Sequence, residues 1–186
     1  MTTRQSRASH HAMSAIAAIA LLATLSACSK GGQERQYSVP NSLCGTPVDA
    51  KELAPFMPPG RKVSVEQEVD YGFTRTCRVS VDSKRVMETT DSWWEAGKDT
   101  ADFMRGQTVD AVDHEADNGR YLYSGNEAFA KTHHCASKQL MGNELFTAIQ
   151  MRGSSHKDTQ AMKRLIVNYT KAIEKTDTCK DGKPFA

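Results

Sequence analysis

Hydrophobic and polar residues alternate through the middle of the chain, and this alternation predicts β-strands. The pattern is clearest over residues 73–82, where Cys77, Val79 and Val81 share one face. Period-two alternation is typical of a strand that buries one face and exposes the other. Alternation predicts strands over Lys62–Val69 and Phe73–Asp82. Turn signals predict further strands over Arg85–Thr89, Tyr121–Tyr123 and Glu127–Cys135, and an apolar run predicts one over Leu145–Met151. Turn-forming dipeptides precede two of these strands, at Tyr71-Gly72 and Asn118-Gly119.

Apolar residues spaced three and four apart predict the clearest helix near the C-terminus. Its apolar face consists of Met162, Leu165, Ile166, Tyr169, Ala172 and Ile173. Ser155 and Asp158 have the spacing of a capping box at its start, and Cys179 follows its end. A short helix is predicted to open at Thr46–Asp49, and another to run from Asp91 towards Arg105.

These elements predict an α+β fold for residues 42–186. We expect a single domain in which an antiparallel sheet of five or six strands packs against helices, among them the long C-terminal helix. A segment of this length is the usual size of one domain and can bury a hydrophobic core without a structural metal.

The N-terminal region has the layout of a secretory leader. Residues 1–13 are polar and carry Arg4 and Arg7 without an acidic residue, and residues 14–25 are apolar. The stretch Leu25-Ser26-Ala27-Cys28 closes this run and resembles the lipobox of bacterial lipoproteins. The resemblance implies that the Cys28 thiol receives a diacylglyceryl group and that residues 1–27 are removed as a signal peptide.

The lipoprotein interpretation implies a location and a partner, the membrane. The lipid would hold the mature chain at the outer face of the cytoplasmic membrane, with residues 28–41 as a flexible polar tether. Two alternatives are an uncleaved transmembrane anchor and cleavage without lipid, and both would also export the domain. Beyond the lipobox, the Leu43-Cys44 stretch at the start of the domain is similar to that of small uncharacterised lipoproteins of high-GC Gram-positive bacteria. That family implies no particular activity.

The remaining cysteines predict two disulfides. Once Cys28 carries lipid, an even number is left in an oxidising compartment, namely Cys44, Cys77, Cys135 and Cys179. Four cysteines allow three pairings. We favour Cys44–Cys77 together with Cys135–Cys179, because sequential pairing links two cysteines within each half of the domain.

Charge balance argues against nucleic acid as a partner. The chain has 24 basic and 22 acidic residues, and loss of Arg4 and Arg7 with the leader leaves 22 of each. A nucleic-acid-binding domain shows a clear basic excess. The basic outer face of the C-terminal helix is therefore interpreted as a solvated surface.

No metal site and no cofactor are predicted. His133 and His134 adjoin Cys135, but neighbouring side chains of a regular strand point to opposite faces and cannot share one ion. The acidic stretch 110–119 departs from the calcium-loop pattern, since Ser124 stands where that pattern requires glutamate. A solvated loop explains its charges more simply.

Aromatic residues supply the candidate ligand contacts. Trp93 and Trp94 are the only tryptophans, and exposed indoles commonly stack on sugars or apolar ligands. We favour the alternative, in which one indole packs on the sheet while its neighbour is half exposed. Tyr121 and Tyr123 share one face of a predicted strand and allow the same two interpretations.

The function predicted from these observations is that of a non-enzymatic envelope module that binds a small ligand or another envelope protein. Nucleophile-elbow, zinc-protease and phosphate-loop motifs do not occur in the sequence, so no catalytic residue is predicted. Catalytic groups can be distant in sequence, and an envelope hydrolase or transferase acting on glycan or lipid is therefore an alternative. A purely structural envelope protein is another.

Overall fold

The computed structural model describes residues 34–107, 110, 112–153 and 156–186, and these form an α+β fold. The strands are β1 (Ser42–Leu43), β2 (Thr46–Pro47), β3 (Val63–Asp70), β4 (Thr74–Val81), β5 (Lys84–Trp94), β6 (His114–Ala116), β7 (Tyr121–Tyr123), β8 (Glu127–Ser137) and β9 (Asn143–Met151). The helices are α1 (Ala50–Leu53), α2 (Thr100–Arg105), α3 (Thr159–Ile173) and α4 (Asp177–Asp181), with a 3-10 turn over Ala54–Phe56. The predicted signal peptide, Cys28 and the Ser155 cap lie outside the described residues.

Seven strands form one antiparallel sheet in the order β3-β4-β5-β9-β8-β7-β6. β1 pairs with β2 in a separate two-stranded sheet. β9 occupies the centre of the large sheet and is buried on both faces from Leu145 to Met151. The β4–β5 hairpin turns at Asp82 and Ser83, whose φ angles of 48° and 66° match the twist of the paired strands.

The two faces of the large sheet carry helical layers of different size. α1, α3 and α4 lie on one face, where the strands and α3 share a single hydrophobic core. Fully buried side chains of this core include Met87, Leu145, Ile149, Leu165 and Tyr169. The opposite face holds a smaller cluster under α2, made of Phe103, Phe129, Phe146 and Ala148.

The two ends of the sheet carry different turns. The end that we call the entry end contains Gly60, the β4–β5 turn at Asp82–Ser83 and the β7–β8 turn at residues 124–126. Arg35 forms a parallel bridge with Gly60 at this end. The opposite end, which we call the far end, contains the turns at 71–73, 95–99, 117–120 and 138–142.

Residues from Arg35 onwards lie against the domain. The Arg35 guanidinium donates hydrogen bonds to the carbonyls of Ala54, at 2.9 Å, and Met57. The Tyr37 hydroxyl donates to the carbonyl of Pro58 at 2.5 Å. These contacts involve the later part of the segment 28–41, which the sequence indicates as a tether.

A buried ion pair joins β4, β5 and α3. Arg75 and Asp91 are partners across the two strands, and Arg75 Nη2 lies 2.6 Å from Asp91 Oδ2. Tyr169 of α3 donates its hydroxyl to the same oxygen at 3.0 Å, and Asp91 is only 1% exposed. Burial raises the pKa of Asp91, while the Arg75 guanidinium opposes that rise. Phe185 covers the pair from the C-terminal tail, with its ring centre 5.2 Å from the Arg75 guanidinium carbon.

The large sheet has more strands than the predicted five or six. The additional strand is β6, which lies in the acidic stretch interpreted as a solvated loop. β6 pairs only with β7 at the edge of the sheet, so that His114 and Glu115 remain exposed while their backbone is paired. Charged residues are common in edge strands because they hinder pairing with other molecules.

The helix predicted from Asp91 towards Arg105 is wrong over its first part. β5 continues through Trp94, and α2 begins only at Thr100, behind a capping box formed by Asp99 and Asp102. Asp91 resembles a helix cap in the sequence, but in the fold Arg75 neutralises it inside the sheet. The threonines and tryptophans around it also favour extended backbone.

The other predicted helices are present with different ends. The helix predicted at Thr46–Asp49 begins at Ala50, because Thr46 pairs with β1 and Asp49 provides the cap. The C-terminal helix buries its predicted apolar face but ends at Ile173, and Cys179 lies on the separate α4.

Both favoured disulfides are present. Cys44–Cys77 ties the β1–β2 turn to β4, and Cys135–Cys179 ties β8 to α4, with sequence separations of 33 and 44 residues. Each contributes roughly 3–4 kcal/mol to the free energy of unfolding in the chain-entropy description. Disulfides of this kind are typical of proteins that fold in oxidising compartments. Within the described residues, no helix is long and apolar enough to cross a membrane.

The Arg75–Asp91 pair yields a prediction about stability. Asp91→Ala leaves the Arg75 guanidinium without its carboxylate, and we expect the free energy of unfolding to fall by about 3–5 kcal/mol. Urea unfolding of the oxidised protein measures this change. Tyr169→Phe, which removes only one hydrogen bond to the pair, is expected to cost roughly 1–2 kcal/mol.

A double variant separates the cost of leaving the Arg75 guanidinium without a carboxylate from the cost of lost packing. Replacing Arg75 by Met and Asp91 by Leu removes both charges and is expected to destabilise much less than Asp91→Ala alone. If Asp91→Ala and the double variant lower the free energy of unfolding equally, the ion pair itself provides the stability. The cost would then not come from an arginine left without its partner.

Candidate functional site: a charged cleft at the far end

A cleft of about 600 Å³ opens at the far end of the sheet. Its walls are the β5–α2 loop at residues 97–100, the β6–β7 turn at 117–120, residues 131–134 of β8, and Glu144 near the start of β9. Most of these residues are polar or charged. We refer to this feature as the charged cleft.

A bulge in β8 places two imidazoles on the rim of the charged cleft. The pairing of β8 with β9 is interrupted between Lys131 and Ala136, and His134 has a φ of 58°. The rings of His133 and His134 lie 5.8 Å apart between their centres, and both residues are exposed. A bulge breaks the alternation of side chains along a strand. The expectation that these two histidines point to opposite faces is therefore wrong at this position.

A lysine–glutamate pair forms one wall of the cleft. Lys131 Nζ lies 2.7 Å from Glu144 Oε2 and donates a second hydrogen bond to the Lys98 carbonyl at 2.9 Å. The Gly97 amide also donates to Glu144, at 2.8 Å. Partial burial acts to raise the pKa of Glu144, but these hydrogen bonds outweigh it and hold the pKa below its ordinary value. Glu144 is therefore a carboxylate at neutral pH.

Glu174, at the end of α3, ties the bulge to the opposite wall. Its Oε1 accepts a hydrogen bond from the backbone amide of His133 at 2.7 Å and forms an ion pair with Arg120. The Arg120 side chain, 12% exposed, also donates to the Lys131 carbonyl at 2.9 Å. Charge-assisted hydrogen bonds to three elements hold this wall in one arrangement before any ligand arrives.

The charges of the cleft are largely compensated within it. Lys131 is balanced by Glu144, and Arg120 by Glu174 and by Asp117 at 3.4 Å. The cleft therefore offers closely spaced hydrogen-bond donors and acceptors rather than a strong field of one sign. Such a surface suits a polar ligand without a large net charge, such as a hydroxyl-rich molecule, better than a multiply charged ion.

The lining residues do not form a nucleophile and base pair. Thr100 donates its hydroxyl to the Arg120 carbonyl at 2.9 Å, and Thr132 donates to the Leu145 carbonyl at 2.6 Å. Both threonines are buried, so these hydroxyls are held in structural hydrogen bonds. Across the described residues, no group of three or more histidine, cysteine, aspartate or glutamate side chains could hold a metal ion.

The predicted aromatic contacts lie apart from the charged cleft. Trp93 is buried on the α3 side near Phe185, whereas Trp94 is half-buried on the opposite face against Phe103. Tyr121 and Tyr123 are buried in the main core. The structure does not bring these four residues together. In an extended strand adjacent residues point to opposite faces and residues two apart share a face, which separates Trp93 from Trp94 and keeps Tyr121 and Tyr123 together.

The residues that do line the cleft come from separate parts of the sequence. The Asn118-Gly119 turn is evident in the sequence, and so is the adjacent histidine pair. Their convergence with Lys131 and Glu144 depends on the bulge, for which the sequence carries no clear signal. Comparison with protein-family models, curated proteins and solved structures finds no match to this chain.

The positive φ of His134 leads to a prediction that is specific to the bulge. Glycine adopts this backbone conformation freely, whereas a β-branched residue is strained in it. We expect that His134→Gly either raises the free energy of unfolding or lowers it by no more than about 1 kcal/mol. His134→Val is expected to lower it by more than about 1 kcal/mol. Thermal and urea unfolding measure both variants.

His133 is the matched control for this experiment, because its φ is not positive. At this neighbouring position the order is expected to reverse, with valine better tolerated than glycine in an extended backbone. The same order at both positions would contradict the bulge geometry.

Proposed function

We propose that this protein is an extracytoplasmic lipoprotein whose charged cleft binds a hydroxyl-rich ligand of the cell envelope, such as a glycan segment. The observation that carries the proposal is the bulge in β8. It places His133 and His134 on the rim of a cleft whose walls are already fixed by Glu144 and Glu174. Strained backbone at a preorganised polar cleft is typical of functional sites.

The proposed location rests on two features. The stretch Leu25-Ser26-Ala27-Cys28 supports lipid attachment at Cys28. The disulfides Cys44–Cys77 and Cys135–Cys179 support folding in an oxidising compartment. A diacylated cysteine anchors a protein far more firmly than a single acyl chain.

Binding rather than catalysis is favoured by the chemistry of the cleft. Its two threonine hydroxyls are engaged with backbone carbonyls, and its lysine and arginine are paired with carboxylates. These groups can donate and accept hydrogen bonds, but they leave little for an activated nucleophile. The donors and acceptors resemble in kind those that orient a sugar, and the imidazole faces can pack against its ring.

The anchor is tested at Cys28. Mass spectrometry of the protein extracted from its native membrane is expected to find a chain that begins at Cys28, carries acyl mass and contains four oxidised thiols. Cys28→Ala is expected to abolish the acyl mass and the processing that depends on it. A processed but unacylated chain would contradict the lipoprotein proposal while leaving export intact.

The ligand class is tested with chito-oligosaccharides as a probe, using NMR resonances of the His133 and His134 rings. We expect saturable shifts of these resonances, and an affinity reduced roughly tenfold by Lys131→Ala, because one charge-assisted hydrogen-bonding wall is lost. Lys138→Ala, an exposed far-end change outside the cleft, is the matched control. Equal binding by both variants, or hydrolysis of the probe, would contradict the proposed binding role.

A further inference from the structure

Exposed basic residues cluster at the entry end of the sheet. The cluster lies beside the β4–β5 hairpin and the segment between β9 and α3, and we call it the basic end. It consists of the exposed residues Arg61, Lys62, Lys84, Arg85 and Lys157 and of the half-buried Arg152. Acids also lie at the entry end, among them Glu66, Asp82, Glu88, Asp110, Glu127 and Asp158.

Much of the positive charge at the basic end has no ionic partner. Arg85 and Arg152 share Glu88, at 3.3 and 3.7 Å. The side chains of Arg61, Lys62, Lys84 and Lys157 form no ion pair within the described residues. The Asp82 carboxylate accepts hydrogen bonds from the backbone amides of Arg61 and Lys62 at 2.9–3.1 Å, so its geometry is set by the backbone rather than by their side chains.

The far end shows a different arrangement of charge. Four of its cations are paired locally, through Lys98–Glu95, Lys131–Glu144, Arg120–Glu174 and Lys183–Asp181, whereas Lys138, Lys175 and Lys180 form no ion pair within the described residues. Cations without an ionic partner therefore occur at both ends, and those of the basic end are distinguished by the entry of the chain beside them.

The chain enters the domain at the basic end. Arg35 bridges Gly60, and the position of a Gly60 Cβ would touch Val81 and Asp82 of the β4–β5 turn. Seven peptide bonds separate Cys28 from Arg35 in the sequence, which limits the reach of this linker to about 25 Å. A lipid on Cys28 would therefore keep the basic end close to the membrane surface.

We propose that the basic end docks on anionic phospholipid headgroups and orients the domain with its charged cleft facing away from the membrane. This inference rests on the proposed lipid anchor at Cys28. Anionic headgroups are the expected binding partner because their charge complements the unpaired cations. The position of Arg35, where the chain enters the domain, also places these cations near the proposed lipid. Each lysine or arginine held near an anionic surface raises surface association by a factor of about five. Arg61 and Lys62 line a cavity of about 620 Å³ together with Glu66 and Asp82, whereas Lys84 and Lys157 lie outside it. Because the unpaired cations extend beyond this cavity over several turns, they match a planar array of headgroups better than one small anion.

The experiment uses the lipidated protein, with acyl mass on Cys28 verified beforehand, reconstituted into two kinds of vesicle. One kind contains phosphatidylcholine alone, and the other contains phosphatidylcholine and phosphatidylglycerol in equal parts. Hydrogen–deuterium exchange is followed at residues 60–62 and 82–85. We expect exchange there to slow by roughly fivefold or more on the anionic vesicles, and the difference to vanish at high salt. Residues 138–142 of the far end are expected to exchange equally on both.

Charge reversal identifies the residues responsible. The triple variant Arg61→Glu, Lys62→Glu and Lys84→Glu is expected to lose the anionic-lipid protection. Its matched control, Lys138→Glu, Lys175→Glu and Lys180→Glu, has the same change in net charge among exposed residues of the far end and is expected to keep it. Circular dichroism checks the fold of both. If the reversal variant is unfolded, the neutral triple change of Arg61, Lys62 and Lys84 to Gln replaces it.

The outcomes separate this inference from the proposed function. Absence of acyl mass would refute the anchor before the vesicle experiment begins. With the anchor verified, equal exchange on both vesicles, protection at residues 138–142, or equal loss in both triple variants would each refute docking through the basic end. Docking through the basic end would be supported if anionic vesicles protect residues 60–62 and 82–85 and only the entry-end triple variant loses this protection.

Discussion

The rest of the structure depends on the buried contact between Arg75 and Asp91. A charged pair in the core depends on its hydrogen bonds, and those to Asp91 all fall on Oδ2, while Oδ1 is buried without a partner among the described residues. Here Tyr169 of α3 supplies one of them, and Phe185 closes the site from the C-terminal tail. The contact therefore fixes the register of β4 against β5 and the position of α3 on the sheet. It also keeps β5 extended through a stretch whose sequence otherwise resembles the start of a helix.

The charged cleft is a consequence of this placement of α3. The helix runs from the entry end, where Asp158 caps it, to the far end, where Glu174 follows its last turn. Glu174 lies five residues beyond Tyr169, so the seating of the tyrosine on Asp91 also brings this carboxylate to Arg120 and to the amide of His133. The bulge in β8 is thus held from outside the sheet. The fold separates two surfaces along the strands, with the preorganised cleft at the far end and unpaired cations at the entry end, where Arg35 joins the domain.

Sequence patterns predict most of the sheet because its strands follow local rules. Alternation identifies β3 and β4, the turn at residues 124–126 indicates the start of β8, the largely apolar run from Leu145 identifies central β9, and the even cysteine count indicates two disulfides. The errors occur where a partner distant in sequence overrides a local preference. Asp91 is a helix cap by its local sequence and a strand residue in the presence of Arg75. The charged residues of β6 indicate a loop, but pairing with β7 makes them an edge strand.

The sequence alone determined the α+β class, the strand hairpins and the amphipathic C-terminal helix, because periodicity and turn residues are properties of neighbouring residues. The cysteine count indicated two disulfides but allowed three pairings, and only the structure decided between them. Only the tertiary structure decided that Trp93 and Trp94 lie on opposite faces and that His133 and His134 share one rim. These placements depend on the continuation of β5 and on the bulge at His134 with its positive φ. Their physical cause is cross-strand pairing and long-range ion pairs, which no local pattern of residues encodes.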